Sequence, residues 1–229
     1  KHLGDLLTAT LLFRETMAPD LRVQGILKSA DKDGTLIADS APAGKTRGLL
    51  QSSGGKPIEA AGGHLQMMRT LQNGAVNQGV VRVPEGGGIT QAMMAYMRES
   101  EQVDTMLAVA TVQNEAGEVI AAGGYLVQLL PEVGRGPLAV MALRLEDFEN
   151  VEPYLKPEFT PEWLRDELLY GMPFTVLDKS SVESECWCSE SRLLGAIATL
   201  DRKEIQTMVD DGDPLEITCD YCKKEYRIQ

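Results

Sequence analysis

The chain has 229 residues, of which 43% are hydrophobic and 5% aromatic, and its formal net charge is -12. Its length suits one large hydrophobic core with a smaller appendage, and no apolar run approaches the roughly 20 residues of a membrane-spanning helix. No basic patch offsets the negative field that would repel DNA or RNA. We therefore expect a protein that binds neither nucleic acid nor membrane.

The first hundred residues predict helices packed on a sheet. Apolar residues recur at helical spacing from Leu3 to Met17, which predicts a core-facing helix. Short apolar segments at 21–27 and 34–39 predict a hairpin around a polar turn, and the glycine-punctuated segment 74–83 predicts a further strand.

A helix rich in methionine is predicted next. Thr90 is its predicted N-cap, and it runs to about Glu101 with Met93, Met94 and Met97 on or near one face. Because methionine is unbranched and polarisable, this face suits an adaptable contact surface. Ordinary core packing against the sheet is the simpler interpretation.

The clearest predicted hairpin joins 105–111 to 119–130 through the turn at 114–117. Gly123 and Gly124 lie inside its second strand, which implies a bulge or a close approach of the backbone. They do not form a phosphate-binding loop, because no helix begins after them.

An acidic helical segment follows. A helix is predicted from 137 to 150, and residues 146–185 hold 11 Asp and Glu against 3 Lys and Arg. Thr160 and Pro161 mark the start of another helix, as N-cap and first helical residue, and Gly171 ends it. That helix has only about ten residues, so it needs packing against a neighbour to be stable. The apolar residues available for this packing are Trp163, Leu164, Leu168 and Leu169.

All four cysteines lie near the C-terminal end, as Cys186-Trp187-Cys188 and, 30 residues later, Cys219-Asp220-Tyr221-Cys222. Four thiolates in two pairs are the ligand number and type that tetrahedral zinc requires, so we predict one zinc ion bound by all four. The first pair is one residue shorter than the common Cys-x-x-Cys knuckle, which indicates a tight or less relaxed site.

The chain between the pairs predicts a small folded unit. Helices are expected at 189–200 and from Asp201 to Gly212, with a hairpin at 215–218 and 225–228 around the second pair. The apolar residues of the second helix expected to face inward are Ile205, Met208 and Val209.

Three interpretations of the cysteines are open. The first is a purely structural zinc site. The second, a thioredoxin-like redox pair, is disfavoured because Cys219 and Cys222 lie in a predicted hairpin and not at a strand-to-helix junction. The third is a redox switch, because zinc holds thiols as oxidisable thiolates and oxidation removes the ligands. A disulfide between Cys186 and Cys188 would close a small, strained and readily reduced ring.

An enzymatic function has the weakest support. His2 and His64 are the two histidines, and neither belongs to a recognisable nucleophile-base pair. Glu99 and Glu101 near a helix end are expected to be solvated or structural. No catalytic residue is predicted, and we expect a protein that is not an enzyme.

The cysteine block with Asp210-Asp211-Gly212 resembles the heat shock protein 33 family, the redox-regulated holdase chaperones of the bacterial cytoplasm. The segments from Tyr96 to Gln102 and from Ala122 to Pro131 also resemble motifs of that family, and the resemblance spans essentially the whole chain. Family chains begin some tens of residues earlier and usually extend a little past Gln229, so we expect the true N-terminus to be missing.

The resemblance implies an α+β fold: an α/β core domain with a mixed or antiparallel sheet (1–145), an acidic helical linker (146–185) and a small α+β zinc domain (186–229). It implies a reduced, zinc-bound, inactive state, and disulfides Cys186–Cys188 and Cys219–Cys222 after oxidation. Zinc release would then unfold the zinc domain and the linker, and a homodimer would bind unfolded client proteins without ATP. The alternative is a protein-interaction domain with a constitutive four-cysteine zinc site.

Overall fold

The computed structural model describes residues 1–129, 135–212 and 214–228, and leaves out the side chains of 135–138 and 211. The chain divides into two compact units, Lys1–Glu183 and Ser184–Gln229. The predicted division at 145 and 185 is finer than this and stays a prediction. Leu130 and Pro131 of the family-like segment, and the side chain of Leu138, lie outside the described residues.

The first unit combines a large sheet, a separate hairpin and four α-helices. Its strands are β1 (Arg22–Lys28), β2 (Gly34–Ser40), β3 (Lys45–Ser52), β4 (His64–Thr70), β5 (Val76–Arg82), β6 (Thr105–Gln113), β7 (Val119–Gln128) and β8 (Glu183–Ser184). Its helices are α1 (His2–Glu15), α2 (Ile89–Tyr96), α3 (Arg135–Asp147) and α4 (Pro161–Leu168). The sheet has the order β5-β4-β1-β2-β3-β8, and β6 pairs only with β7 among the described strands.

Helix α1 is the centre of the main core. It packs against β1 and β2 of the large sheet and also against β6 and β7 of the hairpin. Leu6, Ala9 and Phe13 recur every three or four residues and are at most 2% exposed, as expected for the inward face of a helix. The structure confirms the predicted first helix and the predicted strand at 74–83. It also confirms the two hairpins predicted for this unit, at 21–39 and 105–130.

A buried ion pair fixes the register of three neighbouring strands. The Asp39 side chain on β2 is fully buried and accepts hydrogen bonds from Arg22 at 2.6 Å and Arg47 at 2.9 Å. Asp39 lies opposite Arg47 of β3 and next to β1 on its other side. Because a buried carboxylate needs such partners, a shift in the register of either strand would leave the Asp39 carboxylate unpaired in the core.

Helix α2 begins earlier than predicted and is shorter. Its N-cap is Gly88, whose amide donates to the Gln91 side chain at 2.9 Å, so the prediction of Thr90 as N-cap is wrong. Thr90 lies inside the helix, and its hydroxyl accepts a hydrogen bond from the Val109 amide of β6. Met93 and Met97 are at most 1% exposed, so the methionine face is core packing. The chain then forms a π-helix at Met97–Glu101, which ends in a left-handed Gln102.

The acidic segment packs on the outer face of the β6–β7 hairpin. That face is made of small residues such as Ala108, Ala110 and Gly123, and the Leu155 side chain lies directly over Gly123. A Cβ on Gly124 would meet the Ala108 carbonyl at 2.2 Å, so the predicted close approach is confirmed, whereas the bulge lies at Val112–Gln113. The buried residues of this second cluster are Ala108, Ala110, Tyr125, Leu145, Phe148, Val151 and Leu168.

Helix α4 starts as predicted. The Thr160 hydroxyl accepts a hydrogen bond from the Trp163 amide at 3.1 Å, and Pro161 is the first helical residue. Trp163 packs against Phe159 and Tyr154, with ring centroids 4.5 and 5.5 Å away. The helix therefore depends on its neighbours.

The end of the acidic segment docks on the large sheet through a glycine. The Glu183 amide donates to the Gly44 carbonyl at 3.0 Å, which adds β8 beside β3. Gly44 has φ +70°, and a Cβ there would lie 1.9 Å from the Ser181 carbonyl oxygen. Before this contact, residues 173–182 form no regular secondary structure and are exposed, and Leu177 is 93% exposed.

The second unit contains two helices and one hairpin. Its elements are α5 (Glu190–Ile197), α6 (Arg202–Asp211), β9 (Leu215–Thr218) and β10 (Glu225–Ile228). Ser189 and Asp201 cap the helices, since their side chains accept from the Arg192 and Lys203 amides. Ile205, Met208 and Val209 face the groove inside this unit, as predicted, but they are incompletely covered, and Met208 and Val209 are 39% and 67% exposed.

The second unit has almost no apolar core of its own. Among its described residues Cys219 alone is buried, at 8% exposure, and the apolar residues of α5 and α6 line an open groove beside β9 and β10. A unit of this size cannot bury enough apolar surface to balance its conformational entropy. In the described part of both units, none of the helices has the length and apolarity to cross a membrane.

Candidate metal centre

The second cysteine pair lies in the turn between β9 and β10. The Cys219 amide donates to the Lys224 carbonyl at 2.9 Å, and the Lys223 amide donates back to the Cys219 carbonyl at 2.8 Å. Lys223 completes the turn with φ 60°, in the left-handed region that favours glycine. This tight knuckle turns the Cys219 and Cys222 side chains toward the same point.

The first cysteine pair comes immediately before α5 and meets the second one. Cys186 Sγ lies 3.7 Å from Cys219 Sγ, and Cys188 Sγ lies 3.4 Å from Cys222 Sγ. All four sulfurs lie within 4.8 Å of one another. Metal–sulfur bonds of about 2.3 Å in a tetrahedron place sulfurs about 3.8 Å apart, so this donor set fits one tetrahedral metal ion.

The electrostatics of the cluster also favour a cation at its centre. A hydrogen bond from the Lys224 main chain lowers the pKa of the Cys222 thiol, but hydrogen bonding with Cys188, partial desolvation, and contacts with Cys186 and Cys219 outweigh it and raise the pKa to about 11. Four thiols this close resist ionising together, because each thiolate repels the next. A bound divalent cation reverses that resistance, since coordinating thiols lose their protons to it.

A tyrosine outside the predicted site contacts one of the sulfurs. The Tyr226 hydroxyl donates a hydrogen bond to Cys188 Sγ at 3.1 Å, and this bond, followed by partial desolvation, raises the pKa of the Tyr226 hydroxyl to about 12. The Lys224 ammonium lies 4.9 Å from the centroid of the Tyr226 ring, on its face. One sequence signal could have indicated this contact, because Tyr226 and Ile228 alternate with charged residues along β10 and therefore share a face.

The histidines and glutamates considered from the sequence do not form a comparable cluster in the described structure. His2 lies near the carboxylates of Asp5 and Glu59, at 3.7 and 3.8 Å, and His64 is exposed on β4. Glu101 accepts hydrogen bonds from Arg69 at 2.8 Å and from the Tyr96 hydroxyl at 2.6 Å. Burial of the Tyr96 hydroxyl raises its pKa most, and its hydrogen bond to Glu101 raises the pKa further. Glu99 pairs with its neighbour Arg98 at the surface. Glu101 is thus structural, because it joins the π-helix to β4.

The family model described as "Hsp33 protein" matches residues 1–229. A "33 kDa chaperonin" from Symbiobacterium thermophilum is 30% identical over 244 residues, which cover 99% of this chain and 80% of the relative. One from Lachnoclostridium phytofermentans is 31% identical over 142 residues, which cover 62% of this chain and 49% of the relative. The match thus spans about half of that second relative's length.

A solved structure has the same fold. The crystal structure of the 33 kDa chaperonin (heat shock protein 33 homolog) from Thermotoga maritima superposes with a TM-score of 0.79 at 19% identity, over 99% of this chain and 81% of that one. At this identity the likeness carries the fold alone. The whole-chain family match and the 30% identical relative carry the assignment: this chain belongs to the Hsp33 family.

Proposed function

We propose that the chain is a redox-regulated, ATP-independent holdase chaperone of the cytoplasm, with core 1–145, linker 146–185 and metal domain 186–229. In the reduced state one zinc ion is held by Cys186, Cys188, Cys219 and Cys222. Four thiolates in a tetrahedron select zinc or iron among the common metals, and zinc adds no redox chemistry of its own.

The observation that carries the proposal is the near absence of a core in the second unit. Among the described residues of this unit, Cys219 is the one that is buried. Leu194, Met208 and Val209 are between 39% and 67% exposed. In such a unit the free energy of metal binding is most of the free energy of folding. Losing the thiolates therefore unfolds the unit.

Oxidation by peroxide provides that loss. Each pair of thiolates transfers two electrons to one hydrogen peroxide: the O–O bond breaks, one S–S bond forms and two hydroxide ions leave. Two peroxides convert all four ligands, and zinc is released. The family resemblance supports the pairs Cys186–Cys188 and Cys219–Cys222.

The linker is the second part of the switch. Helix α4 has eight residues, too few to persist alone in water, and it is held on the β6–β7 face by Leu168 and the aromatic cluster around Trp163. When it leaves, the apolar face of β6–β7 becomes available to unfolded client proteins. Homodimerisation accompanies this oxidised state.

One assay tests the proposal. The reduced, zinc-loaded chain is treated with hydrogen peroxide under mildly unfolding conditions, and zinc release and aggregation of a thermally unfolding client are followed together. We expect zinc to leave and client aggregation to fall. If zinc stays bound and the client still aggregates, the alternative of a constitutive structural site in a protein-interaction domain is correct.

A further inference from the structure

A side chain outside the cysteine set contacts the cluster at Cys188. The Tyr226 hydroxyl donates a hydrogen bond to Cys188 Sγ at 3.1 Å. We propose that Tyr226 is a positioning residue that slows the oxidation of Cys188. This inference rests on the proposed function, because it concerns the rate of the same switch.

The physical reason lies in the charge on the thiolate. A thiolate attacks peroxide through a sulfur lone pair: an S–O bond forms, the O–O bond breaks and hydroxide leaves, and the sulfenic acid then condenses with a second thiol to give a disulfide and water. A hydrogen bond stabilises the thiolate more than the transition state, in which part of the charge has moved to oxygen. The donor therefore raises the barrier for that sulfur.

The local structure holds the donor in place. Tyr226 is paired with Ile217 across the β9–β10 hairpin, and the Lys224 ammonium covers one face of its ring. A cation on a ring face is attracted to the π-system, which restrains the ring. The hydroxyl is thus oriented by the same hairpin that carries Cys219 and Cys222, and it reaches across to the other pair.

The test compares Tyr226→Phe with the unmodified chain, each reduced and zinc-loaded. Hydrogen bonds to charged acceptors are among the stronger ones, and about half of their effect is felt in thiolate attack, so we expect Tyr226→Phe to speed peroxide-driven zinc release about four- to twelve-fold. Tyr170→Phe makes the same change at a tyrosine of the first unit that is 74% exposed, and this variant should release zinc at the unmodified rate.

A spectroscopic measurement separates this role from simple loosening of the fold. In the cobalt(II)-loaded chain, loss of a hydrogen bond to sulfur raises the energy of the sulfur lone pair and moves the sulfur-to-cobalt charge-transfer band to longer wavelength. Tyr226→Phe should show this shift and Tyr170→Phe should not. Replacement of Tyr226 by 3-fluorotyrosine, a stronger donor of the same shape, should slow zinc release.

The outcomes are separable. An unchanged rate and band in Tyr226→Phe, or equal acceleration in Tyr170→Phe, would overturn the role of Tyr226. If Tyr226→Phe does not hold metal, the 3-fluorotyrosine chain decides alone, and unchanged or faster release there overturns the inference. If peroxide releases no zinc from the unmodified chain, the proposed function fails first, and that result is obtained without any variant.

Discussion

If the proposed function holds, replacing Leu168 with alanine should give chaperone activity without oxidant. Leu168 is the last residue of α4 and is 5% exposed against Leu145 and Phe148. Its carbonyl also accepts a hydrogen bond from Arg144 of α3 at 2.9 Å. The substitution thus removes the buried anchor at the end of a helix that cannot stand alone.

The magnitude follows from the burial. Leucine-to-alanine changes in cores cost about 2–5 kcal/mol, and a site at the edge of a cluster that can partly collapse belongs near 3 kcal/mol. A loss of about 3 kcal/mol raises the ratio of undocked to docked linker roughly a hundredfold. Leu177 offers a matched control in the same linker, because it is 93% exposed and its change to alanine should cost under about 0.5 kcal/mol.

The assay uses reduced, zinc-loaded protein throughout. Aggregation of a thermally unfolding client is measured by light scattering, and linker undocking is measured by Trp163 fluorescence in a Trp187→Phe background, which leaves one tryptophan in the chain. We expect Leu168→Ala to suppress aggregation and Leu177→Ala to behave as the parent. If Leu168→Ala undocks the linker by fluorescence, keeps its zinc and still fails to protect the client, the linker does not cover the client-binding surface.

Two further substitutions test contacts of the first unit. Gly44→Ala should displace the chain at Ser181 from the sheet, because the new Cβ would overlap the Ser181 carbonyl and a left-handed alanine costs about 1–2 kcal/mol. Tryptic cleavage after Lys179 should therefore accelerate about tenfold. Cleavage at the parent rate would show that β8 does not hold this segment. Asp39→Ala should lower the free energy of unfolding, measured in urea, by about 3–5 kcal/mol, because it removes the buried partner of two arginines. A decrease of less than about 1 kcal/mol in this free energy would mean that the ion pair does not fix the strand register.

Elements with a clear apolar period were predictable, and their ends were less so. The helical spacing of apolar residues from Leu3 to Met17 is enough to predict α1, but burial was needed to show that Leu6, Ala9 and Phe13 form its innermost face. Thr90 was placed wrongly because a threonine before an apolar run is a common cap, whereas here Gly88 and Gln91 satisfy the first amides of the helix. The alternation is interrupted in β3 by Gly48 and the adjacent Leu49 and Leu50, and in β4 by the adjacent Met67 and Met68, so neither strand is predicted.

The helices of the second unit show where periodicity misleads. An apolar stripe such as Ile205, Met208 and Val209 predicts a buried face only if the domain has enough chain to cover it. The second unit covers too little of this stripe, so Val209 stays 67% exposed. The spacing of the cysteines predicted a shared metal site, but the distances between sulfurs and the donor from Tyr226 depend on how the β9–β10 hairpin meets the start of α5.

Under the proposed function, this uncovered stripe explains why a metal site and a redox switch occur together in so small a unit. A domain with a full apolar core would keep its fold after losing its metal, and oxidation would change only the bonds of the cysteines. In the described part of the second unit, Cys219 is both the one buried residue and a member of the sulfur cluster. The centre of the fold is therefore also the candidate metal site. Anything that changes the reactivity of these sulfurs, including one hydroxyl from Tyr226, therefore changes how readily the whole unit unfolds.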